Sequence, residues 1–130
     1  MTPAPRCFED FTVGQRFESS GDIVVTAERI TSFAAEFDPQ PFHLHEEAAR
    51  NTVFQGLAAS SWHTAALTMR LLVESEFKPA GGIIGAGFDE FRWPRPVRPG
   101  MSCISKSKCS RRVHRSRART RALSRSERRR

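Results

Sequence analysis

Apolar residues in the first half of the chain recur at the spacing of an amphipathic helix. Ile30, Phe33, Ala34 and Phe37 follow the i, i+3, i+4, i+7 spacing of one buried face. Thr26 stands before them and is a suitable N-cap, because its side-chain oxygen can accept a hydrogen bond from the first turn. The pattern therefore predicts a helix that begins after Thr26 and buries one face.

A second and longer apolar run opens at Phe54 and continues to Leu72. Its apolar side chains occupy nearly the whole circumference of a helix, which is typical of a buried central helix. Trp62 and the phenylalanines are accordingly expected in the core. Between the two runs, residues 46–50 predict a short helical turn.

Extended segments flank these helices. Residues 8–18 and 22–26 are predicted to be strands, and residues 82–93 show a mixed alternation typical of further strands. Three prolines within residues 94–99 then mark loops. The order of strands, helices and strands predicts an α+β fold in which an antiparallel sheet wraps around one long helix.

The segment 38–43 places a carboxylate, Asp38, five residues before an imidazole, His43. Pro39 and Pro41 fix their own φ angles and disfavour helical geometry in the residues before them, so an ordered turn is expected to present both side chains. A carboxylate and an imidazole placed together can share proton transfers near neutral pH. The alternative is a purely structural role, with Asp38 as a turn or cap residue and His43 as a packed or surface-exposed side chain.

Three blocks of sequence resemble the MaoC-like dehydratases of the hot-dog fold, and among them the (R)-specific enoyl-CoA hydratases. The first two blocks are residues 37–44 (FDPQPFHL) and residues 56–64 (GLAASSWHT). The third comprises Gly87, Phe88, Phe91, Trp93, Pro96, Val97, Pro99 and Gly100. The resemblance as a whole covers roughly residues 8–100, and the three blocks in this order are more specific than any single block.

The resemblance implies reversible addition of water to the 2,3-double bond of an enoyl-coenzyme A, with Asp38 and His43 as the catalytic pair. It further implies that Gly56, or else Gln55, donates a backbone N–H to the thioester oxygen, and that Ser60 orients the pair. Coenzyme A would be part of the substrate, with no metal or other cofactor. The family also implies a homodimer with its acyl tunnel near the subunit interface.

Some positions depart from the family or have a plainer interpretation. Gln55 stands where the family often has glycine, so its side chain could crowd the thioester, and Ser61 also replaces a common glycine. Ser60 could simply be a small packing residue. His63 is expected to be a packed, hydrogen-bonded histidine rather than a participant in the reaction. A non-catalytic protein that binds acyl-coenzyme A is the main alternative function.

The C-terminal residues have a different composition from the rest of the chain. Residues 101–130 contain 12 Lys and Arg against one acid, whereas residues 1–100 contain 9 against 13 acids. The sequence predicts a hot-dog domain over residues 1–104, with an incomplete sheet, and a disordered Arg/Ser-rich tail over 105–130. The tail is either a basic arm for nucleic acid or the product of a reading-frame shift. The second is favoured because no nucleic-acid-binding motif accompanies it.

The remaining composition sets broad limits. A chain of 130 residues is expected to form one domain. Its three cysteines are odd in number and lack metal-site spacing, which favours reduced thiols in the cytoplasm. The sequence predicts neither a signal peptide nor a membrane span.

Overall fold

The computed structural model describes residues 4–85 and 87–110 of the chain. A 3₁₀ turn, Phe8–Asp10, comes first. The helices are α1 (Ala27–Phe37), α2 (Pro41–Leu44), α3 (Glu46–Arg50) and α4 (Ser61–Glu74). The strands are β1 (Arg16–Glu18), β2 (Ile23–Val24), β3 (Ser102–Cys103) and β4 (Lys106–Lys108).

The strands form two antiparallel pairs that follow one another along a single ribbon. β1 pairs with β4 and β2 pairs with β3. Between the pairs, the Ser19 N–H donates to the Ser105 carbonyl at 2.9 Å, which keeps the two segments adjacent. Residues 19–22 on one side face only residues 104–105 on the other, so the register shifts by two residues along the ribbon.

The two N-terminal strand predictions are confirmed in part. β1 and β2 lie within the predicted segments 8–18 and 22–26, but Phe8–Asp10 forms a 3₁₀ turn instead of strand. The prediction of strands over residues 82–93 is wrong, because no described residue in that range pairs in a sheet. Their alternating apolar side chains have no neighbouring strand to cover them, and Ile84 and Phe88 are 89% and 74% exposed.

β4 lies beyond residue 104, where the sequence placed the end of the folded domain. Arg16 of β1 pairs with Lys108, and the Cys109 N–H donates to the Gln15 carbonyl at 2.8 Å. The ladder uses main-chain groups, which a polar sequence supplies as readily as an apolar one. The first residues of the predicted tail therefore take part in the sheet, and residues 111–130 lie outside the described part of the chain.

Helix α1 matches its prediction closely. The Thr26 hydroxyl accepts a hydrogen bond from the Arg29 N–H at 3.2 Å, as expected of an N-cap, and Ile30 and Ala34 are buried. Phe37, predicted for the same face, is 63% exposed. Helix α1 ends there because Pro39 disfavours helical geometry in the residue before it.

Helix α4 is less buried than its apolar sequence predicts. It begins at Ser61, after the Ser60 cap, and its only buried residues are His63 and Leu71. Trp62, expected in the core, is 61% exposed, and its ring neighbours Phe91 and Trp93 lie in a segment that forms no strand. The core instead gathers where β2, α1 and the segment before α4 meet. Its members are Val25, Ile30, Leu57 and Ala59, with Leu67, Val97 and Cys103 packed against them.

Candidate active site

Asp38 is held at the C-terminal end of α1. Its backbone N–H donates to the Ala34 carbonyl at 2.9 Å, which caps the helix. The Oδ1 atom of its side chain accepts a hydrogen bond from Gln40 Nε2 at a distance of 2.5 Å. The second carboxylate oxygen, Oδ2, remains directed toward His43 at 3.3 Å from Nε2.

His43 lies on a one-turn helix rather than on the non-helical turn predicted from the two prolines. Pro41 occupies the first helical position of α2, where its missing N–H costs nothing and its fixed φ suits a helix. The prediction failed because proline excludes itself from a helix interior but not from a helix start. His43 is 4% exposed and faces Asp38 across the joint between α1 and α2.

The other nitrogen of His43 is fixed by the backbone. Nδ1 lies 2.6 Å from the Ala58 carbonyl oxygen, which can only accept a hydrogen bond, so Nδ1 carries a proton and donates it. In the protonated imidazole the second proton lies on Nε2 and faces the Asp38 carboxylate, whereas in the neutral form Nε2 carries the lone pair. Any proton gained or lost by His43 in chemistry is therefore exchanged at Nε2.

Ser60 connects this pair to the start of α4. It is fully buried, and its hydroxyl oxygen accepts from the Trp62 N–H at 3.3 Å as the N-cap of the helix. Burial alone would raise the pKa of Asp38, but hydrogen bonds from the side chains of Ser60 and Gln40, together with the charge of His43, lower it below the ordinary value. Asp38 is thus kept ionised at neutral pH.

The two candidate donors to a thioester oxygen differ in availability. The Gln55 N–H donates to the Thr52 carbonyl at 3.0 Å and closes a turn. The N–H of the buried Gly56 has no hydrogen-bond partner within residues 4–85 and 87–110. Gly56 is therefore the freer donor, and the exposed Gln55 side chain leaves the buried segment that follows it uncrowded.

His63 is packed, as expected, but without the expected hydrogen bond at Nδ1. Its ring stacks on Phe33 with centroids 4.7 Å apart, and Nδ1 is buried with no partner among the described residues. Burial and the nearby Arg29 charge lower the pKa of His63. The ring thus remains neutral over most of the physiological pH range.

Sequence reasoning missed the two charged side chains that hold the Gly56 segment. Arg98 donates through Nη1 to the Gly56 carbonyl at 2.9 Å, and Glu46 Oε2 accepts from the Leu57 N–H at 2.9 Å. Arg98 falls within the third resembling block, but nothing in that block indicates a contact 42 residues away along the chain. Such pairings become visible only in the fold.

The described part of the chain offers no metal cluster, and one large cavity in it lies away from the pair. It contains no group of three or more His, Cys, Asp or Glu side chains placed to hold a metal ion. A cavity of about 700 Å³ is lined by Phe11, Phe17, Phe77 and neighbouring residues, away from Asp38 and His43. No described helix is both long and apolar enough to cross a membrane.

Comparison with known proteins places the chain in a family. The family described as "MaoC like domain" matches residues 9–126. Among curated proteins, the uncharacterized protein YdeM of Bacillus subtilis is 35% identical over 91 residues, which are 70% of this chain and 64% of YdeM. The matched region thus spans less than two thirds of that relative.

Solved structures agree in fold. A MaoC-like dehydratase from Rhodospirillum rubrum is 58% identical, with a TM-score of 0.73 over 77% of this chain and 67% of its own. The R-hydratase PhaJ1 from Pseudomonas aeruginosa, unliganded, is 26% identical with a TM-score of 0.60, over 76% and 61% of the two chains. A protein titled monoamine oxidase regulatory protein, from Archaeoglobus fulgius, is 23% identical with a TM-score of 0.69, over 80% and 70%, and shows the fold alone.

These likenesses confirm the predicted α+β architecture as a hot-dog fold, with α4 as its central helix. The family match over residues 9–126 includes all three sequence blocks. The chain belongs to the MaoC-like domain family.

Proposed function

We propose that the chain is an acyl-thioester hydratase or dehydratase that adds or removes water at the 2,3-position of an enoyl-coenzyme A. The observation that carries the proposal is the Asp38–His43 pair, in which the Ala58 carbonyl fixes the buried imidazole so that Nε2 faces the partly buried carboxylate. Family membership and the likeness to an R-hydratase support the same chemistry.

The proposed reaction needs proton transfer in two directions. The oxygen atom of water bonds to C3 of the enoyl thioester, and a base takes one of the water protons. An acid then delivers one proton to C2. Asp38 and His43 together supply the base and the acid, and as a coupled pair they share the proton. No redox group is consumed, and coenzyme A enters and leaves as part of the substrate.

Negative charge develops on the thioester oxygen as the nucleophile adds. Gly56 supplies a backbone N–H for that oxygen, and the free N–H groups at the start of α4 add a favourable field. Removal of one such donor typically slows a reaction by about 100- to 1000-fold. Ser60 serves the pair by keeping Asp38 ionised.

The substrate lies, in this proposal, in an acyl tunnel completed by a second copy of the chain. The resemblance to the family implies a tunnel of this kind near the subunit interface. The exposed aromatic side chains beside α4 also support a homodimer. Cytoplasmic location and the absence of other cofactors stay predictions.

Hydration of crotonyl-coenzyme A tests the proposal, followed as loss of the enoyl-thioester absorbance. Asp38→Asn and His43→Gln are each expected to lower kcat by at least about 100-fold, since each removes one proton carrier. Asp89→Asn and His45→Gln are matched controls, because both residues are exposed and outside the site. A folded wild-type chain that binds the thioester without turnover would favour the non-catalytic acyl-binding alternative.

A further inference from the structure

The peptide unit before Gln55 is fixed at both ends. Its carbonyl, from Phe54, accepts a hydrogen bond from Arg98 Nη2. Its N–H, from Gln55, donates to the Thr52 carbonyl at 3.0 Å. This peptide plane therefore cannot rotate without breaking one of the two bonds.

The peptide unit after Gly56 is fixed in the same way. Its carbonyl accepts from Arg98 Nη1 at 2.9 Å, and its N–H, from Leu57, donates to Glu46 Oε2 at 2.9 Å. Both partners are charged side chains, which form stronger hydrogen bonds than neutral ones. One guanidinium thus reaches carbonyls on both sides of Gly56.

The peptide unit between these two is the free one. Neither the Gln55 carbonyl nor the Gly56 N–H has a partner in the part of the chain that the structure describes. Gln55 has a φ of 56°, a left-handed conformation that costs free energy for any residue with a Cβ. Such strain persists only where the surroundings hold it in place, and it is common at functional sites.

Space around Gly56 supports the same interpretation. A Cβ at this position would lie 3.3 Å from Arg98 Nη1 and 3.3 Å from Glu46 Oε1. The two clamping side chains therefore close around the glycine, and a larger residue would push them apart. A Cβ at position 56 would thus require Arg98 and Glu46 to shift by a few tenths of an ångström.

We propose that Arg98, with Glu46, is a positioning residue that holds the Gly56 N–H ready for the thioester oxygen. The inference rests on the proposed hydratase function and adds to it. Arg98 does not touch the reacting atoms. It fixes the two neighbouring peptide units so that the donor between them needs no reorganisation when charge develops.

Arg98→Ala and Arg98→Lys test the inference in the full chain, with Arg95→Ala as the matched control because Arg95 is exposed and three residues away. We expect Arg98→Ala to lower kcat for crotonyl-coenzyme A by about 10- to 100-fold, part of the effect of losing a donor outright. Arg98→Lys should recover only part of the rate, since an ammonium group cannot bond two carbonyls in a fixed fork. Added guanidinium should partly restore Arg98→Ala.

A second readout separates positioning from mere folding. The carbonyl stretch of bound butyryl-coenzyme A, a thioester that cannot be hydrated, should shift to lower wavenumber in the wild type and in Arg95→Ala. Arg98→Ala should lose that shift while still unfolding cooperatively in urea. An unchanged carbonyl shift in Arg98→Ala would overturn the inference, even if kcat fell, because the donor would still be in place.

The outcomes also separate a failure of the positioning role from a failure of the proposed hydratase function. Wild-type turnover with unchanged kcat in Arg98→Ala would overturn the positioning role alone. A folded wild-type chain that binds thioesters but hydrates none would overturn the proposed function and this inference with it.

Discussion

The Ala58 carbonyl determines which nitrogen of His43 can exchange protons. The sequence predicts the partners of the pair, because Asp38 and His43 stand on a proline-stiffened segment. It does not predict the tautomer, since the partner of Nδ1 is a backbone carbonyl 15 residues away and any residue type supplies one. Ser60 is likewise visible as a candidate in the sequence, but its hydrogen bond to Asp38 requires the fold.

Ser60→Ala should change both stability and pH dependence. It removes an N-cap, which costs about 1 kcal/mol of unfolding free energy. It also removes a hydrogen bond that lowers the pKa of Asp38, so that pKa should rise. If Asp38 must be ionised for turnover, the acidic limb of the kcat/KM profile should move to higher pH.

The pH dependence of the unfolding free energy follows from the same lowered pKa of Asp38. A lowered carboxyl pKa stabilises the folded state above the ordinary pKa, and this contribution is lost as the pH falls through the lowered value. Ser60→Ala should therefore lose less stability on acidification below about pH 4 than the wild type. Urea titrations of both proteins, with Ser61→Ala as the control, check this expectation. An identical acid response in Ser60→Ala and wild type would contradict it.

His63 should make the protein sensitive to mild acid. Its pKa is lowered in the folded state, so the unfolded chain binds the proton more readily. Stability should then fall as the pH drops below the ordinary value of 6.5 and should level off below the lowered pKa. His63→Phe, which keeps an aromatic ring against Phe33, should reduce this loss.

The measurement is the urea midpoint of His63→Phe and wild type at about pH 8 and about pH 5.5. The exposed His45→Phe serves as control. Equal pH responses in all three proteins would show that a different group titrates.

The antiparallel ribbon is the element least visible in the sequence. β1 and β2 could be found from their apolar residues, but β3 and β4 consist of Ser, Cys and Lys, which carry little strand signal. Their paired residues lie 78 to 92 positions apart along the chain, so no local pattern specifies the pairing. Helices α1 and α3 were predicted correctly because their signals are local.

Truncation separates the ribbon from the rest of the tail. A chain that ends at residue 104 loses β4, and with it the strand opposite the buried Phe17, so we expect clear destabilisation. A chain that ends at residue 110 keeps β4 and should be clearly more stable than the chain that ends at residue 104. Thermal and urea unfolding of both truncations test this. Equal stability of the two would mean that β4 contributes little.

For the whole molecule, the fold class was predictable and the degree of burial was not. The apolar circumference of α4 led to the expectation of a fully covered helix, yet Trp62 faces outward beside Phe91 and Trp93. An apolar pattern predicts that a helix face is buried, but it does not predict whether the same chain or another one buries it. A second copy is the cover that the homodimer proposal supplies.

Trp62→Glu should weaken self-association if this aromatic surface, formed by Trp62, Phe88, Phe91 and Trp93, is the dimer contact. A charge at its centre would have to be desolvated without a partner on association. Sedimentation velocity over a range of concentrations measures the change. Val53→Glu is the control, since Val53 is 91% exposed and outside this surface. Equal association of Trp62→Glu and wild type would exclude this surface from the contact.

The side chains that hold the candidate site, from Gln40 to Arg98, all precede the returning half of the ribbon. That returning half contributes mainly backbone hydrogen bonds, which every residue except proline can make. Random substitution should therefore be tolerated very unevenly along the chain. A library of variants selected for activity should accept most replacements other than proline at the exposed positions of residues 102–109, and almost none at Asp38 and His43.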